Sequence, residues 1–344
     1  MRLIEIAPEL YLIPLDQDLP GFTSFIGAWI YKGKKTFLVD VGPAATVPVL
    51  VKSLESLGIR HLDAVLLTHI HIDHAGGAGD LAEFFPDVPI ICHEKGVKHL
   101  ADPSHLWEGS LKTLGQTAQA YGPFRPVPRK LLYDAARYQE DNVMPILTPG
   151  HAPHHVSYLL GPYLFAGEAG GVYLDIPGNG FYLRPATPPR FFLETSIKSI
   201  DALIVRKPSI ICYGHFGMNE HALDMLKTHR DQLLLWEKII KDEMVHLGET
   251  EEVDFFKSCL QRLLKQDPFL KGFFNMSEAV KEREKGFLKN SIKGFTGYLR
   301  ISEKQHKRIY WLSGTEQKLG FFVKIKEDKN FNHSNTGSIS RIKI

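Results

Sequence analysis

Thr68-His69-Ile70-His71-Ile72-Asp73-His74 follows directly on an apolar run of strand length at residues 64–67. Four side chains able to bind a metal fall within this one short stretch: His69, His71, Asp73 and His74. Neutral imidazoles are the commonest ligands of zinc-like ions, and carboxylates suit the same ions. Side chains alternate along an extended segment, so strand spacing predicts His69, His71 and Asp73 on one side. A turn at Asp73-His74 then brings His74 round to a second ion. Ala75-Gly76-Gly77 lets the backbone enter a helix tightly. Without a metal, so many histidines in one turn would each need another partner.

The same arrangement recurs further along. Pro149-Gly150-His151 comes just past a strand pattern at residues 144–147. Ala166-Gly167-Glu168 ends another at 163–166, and Tyr213-Gly214-His215 ends a third at 210–213. In each case a residue of ligand type sits beside glycine at a strand end, where α/β folds gather functional groups. Taken singly, His151, Glu168 and His215 would be ordinary solvated residues; the recurrence carries the signal.

Around these motifs, short apolar runs alternate with amphipathic segments through the first two-thirds of the chain. Residues 10–13, 24–31, 36–39, 89–92 and 156–160 read as strands, and 47–57 and 76–85 as helices. Gly58 and Pro86 terminate the two helices. Interleaving of this kind means a layered α/β domain. Residues 101–142 interrupt the alternation, and the Gly- and Pro-rich stretch 170–190 reads as a long ordered loop. From about residue 219 the pattern turns to helices, with Leu226, Leu233 and Ile240 on one face of the first. A second carries Val253, Phe256, Leu260, Leu263 and Leu264 on one face, and a third is predicted over 277–300. We therefore expect a catalytic domain at 1–218, a helical module at 219–303 and a basic tail at 304–344, poorly ordered towards its end.

Composition sets the bounds. The 344 residues are 44% hydrophobic and 23% charged, with a formal net charge of +2, which is ordinary for a globular protein. Near-neutral charge gives no reason to expect nucleic acid or an anionic membrane. No apolar run is long enough to span a bilayer. The N-terminus lacks the pattern of a signal peptide. Cys92, Cys212 and Cys259 are scattered and odd in number, which fits a reducing compartment. The expectation is a cytoplasmic protein acting on a small molecule. The apolar faces of the C-terminal helices need covering, and a homodimer interface is one way to cover them.

The THxHxDH turn, the PGH, the acidic residue after a strand and the final GH together resemble the metallo-β-lactamase superfamily of metallo-hydrolases. The resemblance runs from about residue 10 to 215. It includes Phe37-Leu38-Val39-Asp40-Val41-Gly42, similar to that family's early strand and Asp-x-Gly turn. It implies a four-layer αβ/βα sandwich and two adjacent divalent ions, zinc with iron or manganese as alternatives. His69, His71 and His151 would hold one ion, and Asp73, His74 and His215 the other, with Glu168 bridging. Asp40 would stand behind the ligands and orient an imidazole. Asp73 would also orient the nucleophile. Where the family usually has Asp in a Gly-Asp pair, this chain has Gly167-Glu168; a side chain one methylene longer requires its strand to sit further back.

Within the family the stretch Pro149 to Ser157 is similar to that of glyoxalase II-like thioesterases (hydroxyacylglutathione hydrolases). His154 and His155 are read as non-ligands. The resemblance implies a dinuclear hydrolase acting on a thioester or another ester-type carbonyl. Rival readings on the same fold are a mononuclear iron sulfur dioxygenase and a phosphodiesterase or nuclease. A complete ligand set for two ions argues against the first, and the absence of a basic groove near the site against the second. The 16–25 loop, the 101–142 insertion and the 170–190 stretch are expected to line the pocket. Tyr173, Tyr182 and Arg184 are the candidate substrate contacts, and Arg125 a further cation for an anionic substrate.

Overall fold

The computed structural model describes residues 2–316 apart from 177, 179, 249 and 250, and side chains as far as Ser302. The described residues up to Arg300 form one compact unit. The expected tail lies largely outside the described residues.

Two sheets face each other. The first has seven strands in sequence order: β1 (Ile4–Ala7), β2 (Leu10–Pro14), β3 (Gly27–Lys32), β4 (Thr36–Val39), β5 (Ala64–Leu66), β6 (Ile90–Cys92) and β7 (Leu132–Asp134). β1 to β4 form an antiparallel meander and β4 to β7 run parallel. Helices supply the crossovers that parallel strands require: α1 (Val47–Ser56), then α2 (Ile72–Ala75) and α3 (Ala78–Phe84), then α4 (Glu94–Ala101), α5 (Ser104–Leu114) and α6 (Gln116–Tyr121). The second sheet takes β8 (Met144–Leu147), β9 (Val156–Leu160), β10 (Tyr163–Gly167), β13 (Ile210–Tyr213) and β14 (Met218–Asn219), ordered β14-β13-β10-β9-β8. Between β10 and β13 the chain makes a separate hairpin, β11 (Val172–Asp175) with β12 (Phe181–Arg184), and helix α7 (Leu193–Val205).

Alternation along the strands separates two cores. Leu12, Trp29, Val39 and Leu66 of the first sheet pack with Val156, Tyr158, Phe165 and Cys212 of the second. The intervening residues Ile30, Leu38, Val65 and Ile90 turn outward to Leu50, Leu54 and Leu81 of the helices. On the far side, Leu164 and Ile211 belong with Ile200, Leu226 and Trp236. The layers are therefore helix, sheet, sheet, helix, an αβ/βα sandwich. Hydrogen bonds stitch the sheets together: Trp29 Nε1 donates to Tyr213 O (2.9 Å), Tyr158 Oη to Leu67 O (3.0 Å) and Val156 N to Thr68 O (2.7 Å).

The helical C-terminal region comprises α8 (Ala222–Leu247), α9 (Glu252–Gln266) and α10 (Glu278–Glu316). Leu226, Leu233 and Ile240 of α8 and Leu288, Ile292 and Phe295 of α10 are buried in the same core as α7 and the second sheet. The chain thus covers these apolar faces itself. Val253, placed on the buried face of α9 by its spacing, is 66% exposed; the buried positions there are Cys259 and Leu263.

The structure corrects two further expectations. Residues 170–190 are not a loop but carry β11 and β12, whose flanking Gly and Pro mask the strand pattern. Residues 101–142 contain α5, α6 and the edge strand β7.

Candidate metal centre

The site lies where the strands of both sheets end. β5 stops at Leu66, and two residues on Thr68 locks the turn. Its backbone N–H donates to Asp40 Oδ1 (2.8 Å), and its hydroxyl to Asp40 Oδ2 (2.8 Å). His71 is the N-cap of α2, with φ −69° and ψ 157°, so Asp73 and His74 stand on the first helical turn. The turn therefore comes earlier than strand spacing predicts, and Asp73 reaches the site from a helix. The backbone N–H groups of Val41 and Gly42 both donate to His74 O (2.8 and 3.0 Å), fastening that turn to the end of β4. His151, Glu168 and His215 follow β8, β10 and β13.

The seven residues gather into two clusters. In the first, His71 Nδ1 is 2.9 Å from His69 Nε2 and 3.0 Å from His151 Nε2. The outer nitrogens fix two of these rings. His69 Nδ1 donates to Thr68 Oγ1 (3.1 Å), whose own proton goes to Asp40, and His151 Nδ1 donates to Ala186 O (2.9 Å). That leaves both Nε2 atoms as bare lone pairs facing His71. In the second cluster, Glu168 Oε1 is 2.7 Å from His74 Nε2 and 3.1 Å from His215 Nε2, and Asp73 Oδ2 is 3.7 Å from His74 Nε2. His74 Nδ1 donates to Asp40 Oδ2 (2.8 Å), so a single buried carboxylate steadies ligand-type rings in both clusters.

Converging lone pairs in a buried site are costly unless a cation joins them. His69, His71 and His151 all have pKa values below the ordinary histidine value, because burial disfavours their charged forms. His74 differs. Burial opposes its charge, yet Glu168, Asp73 and Asp40 surround it and raise its pKa well above the usual value. Three carboxylates around one ring make a nest for positive charge. His74 Nε2 faces Glu168 Oε1 at 2.7 Å without the geometry of a hydrogen bond. Donor type, convergence and this unjoined pair all fit divalent ions of the zinc class.

Glu168 is placed unequally. Oε1 serves the second cluster, while Oε2 lies 3.5 Å from His69 Nδ1 and 3.6 Å from His155 Nε2, outside the three nitrogens of the first. His155 is fully buried and holds this corner. Its Nδ1 donates to Thr148 Oγ1 (2.8 Å), and its Nε2 accepts the Glu168 backbone N–H (3.2 Å). Gly167 has φ +54°, and a Cβ there would meet His155 Nε2 at 2.3 Å, so only glycine permits this contact. His155 is read from the sequence as a non-ligand, and Thr68 and Thr148 are assigned no role there, although a polar residue directly after an apolar strand marks both threonines.

The candidate substrate contacts are not brought to the site. Tyr173 stacks on Tyr213 (4.8 Å, 8°) and donates to Asp175 Oδ1 (2.6 Å). Tyr182 is fully buried in the core, and Arg184, 2% exposed, gives its Nε to Glu284 of α10 (2.5 Å). The hairpin turns these side chains into the core, which corrects their expected role. Arg125 is tied to Asp80 and Glu83. The residues that do border the second cluster are aromatic. The Phe25 ring centroid lies 4.4 Å from that of His215, and the Tyr121 hydroxyl has its pKa raised first by burial and then by the Asp73 carboxylate.

Fold and clusters together describe a metal-binding αβ/βα sandwich. The model of the metallo-beta-lactamase superfamily matches residues 18–215, and the chain belongs to that family, whose members are generally hydrolases. It is 28% identical over 231 residues to the metallo-beta-lactamase fold-containing protein ST1585 of Sulfurisphaera tokodaii, covering 62% of this chain and 83% of that protein. It is 29% identical over 199 residues to hydroxyacylglutathione hydrolase of Yersinia pestis, covering 58% of this chain and 63% of that enzyme. The chain thus spans under two thirds of that hydrolase. Among solved structures, ST1585 superposes with a TM-score of 0.60 at 21% identity, covering 84% of this chain and 99% of the other. TTHA1429 of Thermus thermophilus gives 0.58 at 19% identity, over 87% and 95%. Among the described residues, no helix is long and apolar enough to cross a membrane.

Proposed function

We propose that the chain is a dinuclear metal-dependent hydrolase of thioesters or other ester-type carbonyls, with zinc as its most natural metal. Of three candidate three-residue groups, the observation that carries this reading is the two that share no residue, His69–His71–His151 and Asp73–His74–His215; Glu168 is set against both, and the third group, His69–His155–Glu168, joins it to the first. Similarity to a hydroxyacylglutathione hydrolase supports the thioester class.

His69, His71 and His151 would hold one ion, and Asp73, His74 and His215 the other, with Glu168 between. Bound there, a pair of divalent ions supplies a water of lowered pKa and an electrophile for the substrate oxygen. The remaining work falls to the chain. Asp73 keeps 18% of its side chain accessible, against 1% for His74 and 7% for His215. It is the carboxylate best placed to take a hydrogen bond from the attacking water and orient it. Asp40 holds His74 and Thr68, and through Thr68 also His69, so neither ring can turn. Phe25 and Tyr121 exclude water from one side of the second cluster.

The test is metal content per chain by plasma mass spectrometry, followed by thioester, lactone and phosphodiester assays. Two ions and chelator-sensitive thioester hydrolysis are expected. Asp73→Ala should lower turnover by roughly 100-fold or more, the scale of losing a positioned proton acceptor. A single iron per chain with oxygen consumption, or two ions with only phosphodiester cleavage, would replace this reading.

A further inference from the structure

Ligand-type histidines are normally held by a hydrogen bond at the nitrogen facing away from the metal. His69 has Thr68 for this, His74 has Asp40 and His151 has Ala186 O. His215 has none: its Nε2 faces Glu168, and its Nδ1 is buried with no partner among the described residues. Its ring must be held by something else.

The ring of Phe25 lies against it, centroids 4.4 Å apart and tilted by 36°. On Phe25 sits the guanidinium of Arg283, 3.7 Å from the ring centroid. Phe287, 5.4 Å from Phe25, closes the side. Arg283 is held in turn, donating to Gly21 O on the loop that carries Phe25 and to Glu284, which also takes Arg184. Gly21 (φ +85°) lets that loop approach α10 so closely that a Cβ would meet Ala279 O at 2.5 Å. Arg283, Glu284 and Phe287 all belong to α10.

We propose that Phe25 and Arg283 are positioning residues for His215, so that the turn of α10 carrying Arg283 governs the second metal position and not the first. The inference rests on the dinuclear reading above and adds what sets the affinity of one of its two positions. A guanidinium over an aromatic face is attractive and directional, and the ring it holds restrains the imidazole packed against that ring. The stack replaces the missing hydrogen bond.

The experiment measures zinc affinity at each position by competition with a chromophoric chelator, with cobalt(II) spectra to tell the positions apart. It compares the full chain with Phe25→Leu, Arg283→Met and Phe25→Tyr, with His215→Ala as reference. Phe25→Leu and Arg283→Met should weaken one ion by about 10- to 100-fold, the usual effect of losing a ligand's outer support. The cobalt spectrum should move towards that of His215→Ala, with the other ion unchanged. Phe25→Tyr keeps the ring and should restore the wild-type affinities. Equal weakening of both ions would mean general damage and overturn the inference, as would Phe25→Leu with both affinities intact. A wild-type chain that takes up only one ion would overturn the dinuclear reading and this inference with it. Two ions in the wild type and unchanged affinities in the variants would overturn this inference alone.

Discussion

At the scale of single residues, the chemistry was readable because it is local. His69, His71, Asp73 and His74 lie within one turn, and glycine beside His151, Glu168 and His215 marks three strand ends. The fold brings these seven together. What holds them was not readable. His155 meets Glu168 at the open end of the β9–β10 hairpin, and Phe25 meets His215 from a distant loop. Contacts of that range leave no spacing to recognise. Another residue of this kind, His229 of α8, offers a test by pH. Burial brings its pKa down to about 4, with Gln232 Oε1 beside its Nδ1 (3.3 Å). Below the ordinary histidine pKa the unfolded chain takes up a proton that the folded ring resists until about pH 4. Its effect is absent above about pH 6.5 and destabilises increasingly as pH falls through that window. In urea unfolding at pH 7 and 4.5, His229→Gln should lose less stability between the two than the wild type, by on the order of 2–3 kcal/mol. An equal loss in both proteins would show that this ring is not kept neutral by burial.

At the scale of elements, long periodic patterns were legible and short ones were not. The strands around the ligands and the α8 face were visible because their apolar spacing is sustained. β11 and β12, four residues each, were hidden by the Gly and Pro around them. Helix α7 went unassigned in the sequence. α10 shows how closely one helix can be fitted to the rest. A Cβ on Gly294 would meet Thr187 O at 1.9 Å, whereas one on Gly297 would meet nothing within 4 Å. Ser291 supports the same segment, its hydroxyl donating to Pro185 O (3.0 Å), one residue before the carbonyl that holds His151. Thermal unfolding should therefore separate the two glycines. Gly297→Ala removes a flexible residue from a helix and should stabilise by about 0.5–1 kcal/mol. Gly294→Ala forces α10 away from its neighbour and should destabilise by roughly 1–3 kcal/mol. The same sign for both would mean that this approach does not limit the packing.

At the scale of the molecule, the sandwich was predictable from the interleaving of strands and helices together with the family resemblance. The role of the C-terminal helices was not, since an apolar face records that it is covered but not by what. In the structure the partner is the chain's own second sheet, hairpin and α7. The two ligand clusters sit on the seam of the sandwich. His69, His71, Asp73 and His74 follow the first sheet, and His151, Glu168 and His215 the second. Ions bound there favour the assembled state over the unfolded chain. Saturation 1,000-fold above the dissociation constant adds about 4 kcal/mol, and chelation should lower the melting temperature by roughly 10 °C. A melting temperature indifferent to chelator would mean that the clusters hold no ion in the folded protein.

The division of ligands between the sheets also orders events during synthesis. About 140 residues separate His74 from His215, roughly 7–30 s of elongation at typical rates. On the dinuclear reading, the nascent chain would through that interval carry an open half-chelate, which any abundant cation could enter and leave. Selectivity would begin only when the second sheet closes on the first. The ion retained would then record the metals available to the finished protein, not those met at the ribosome.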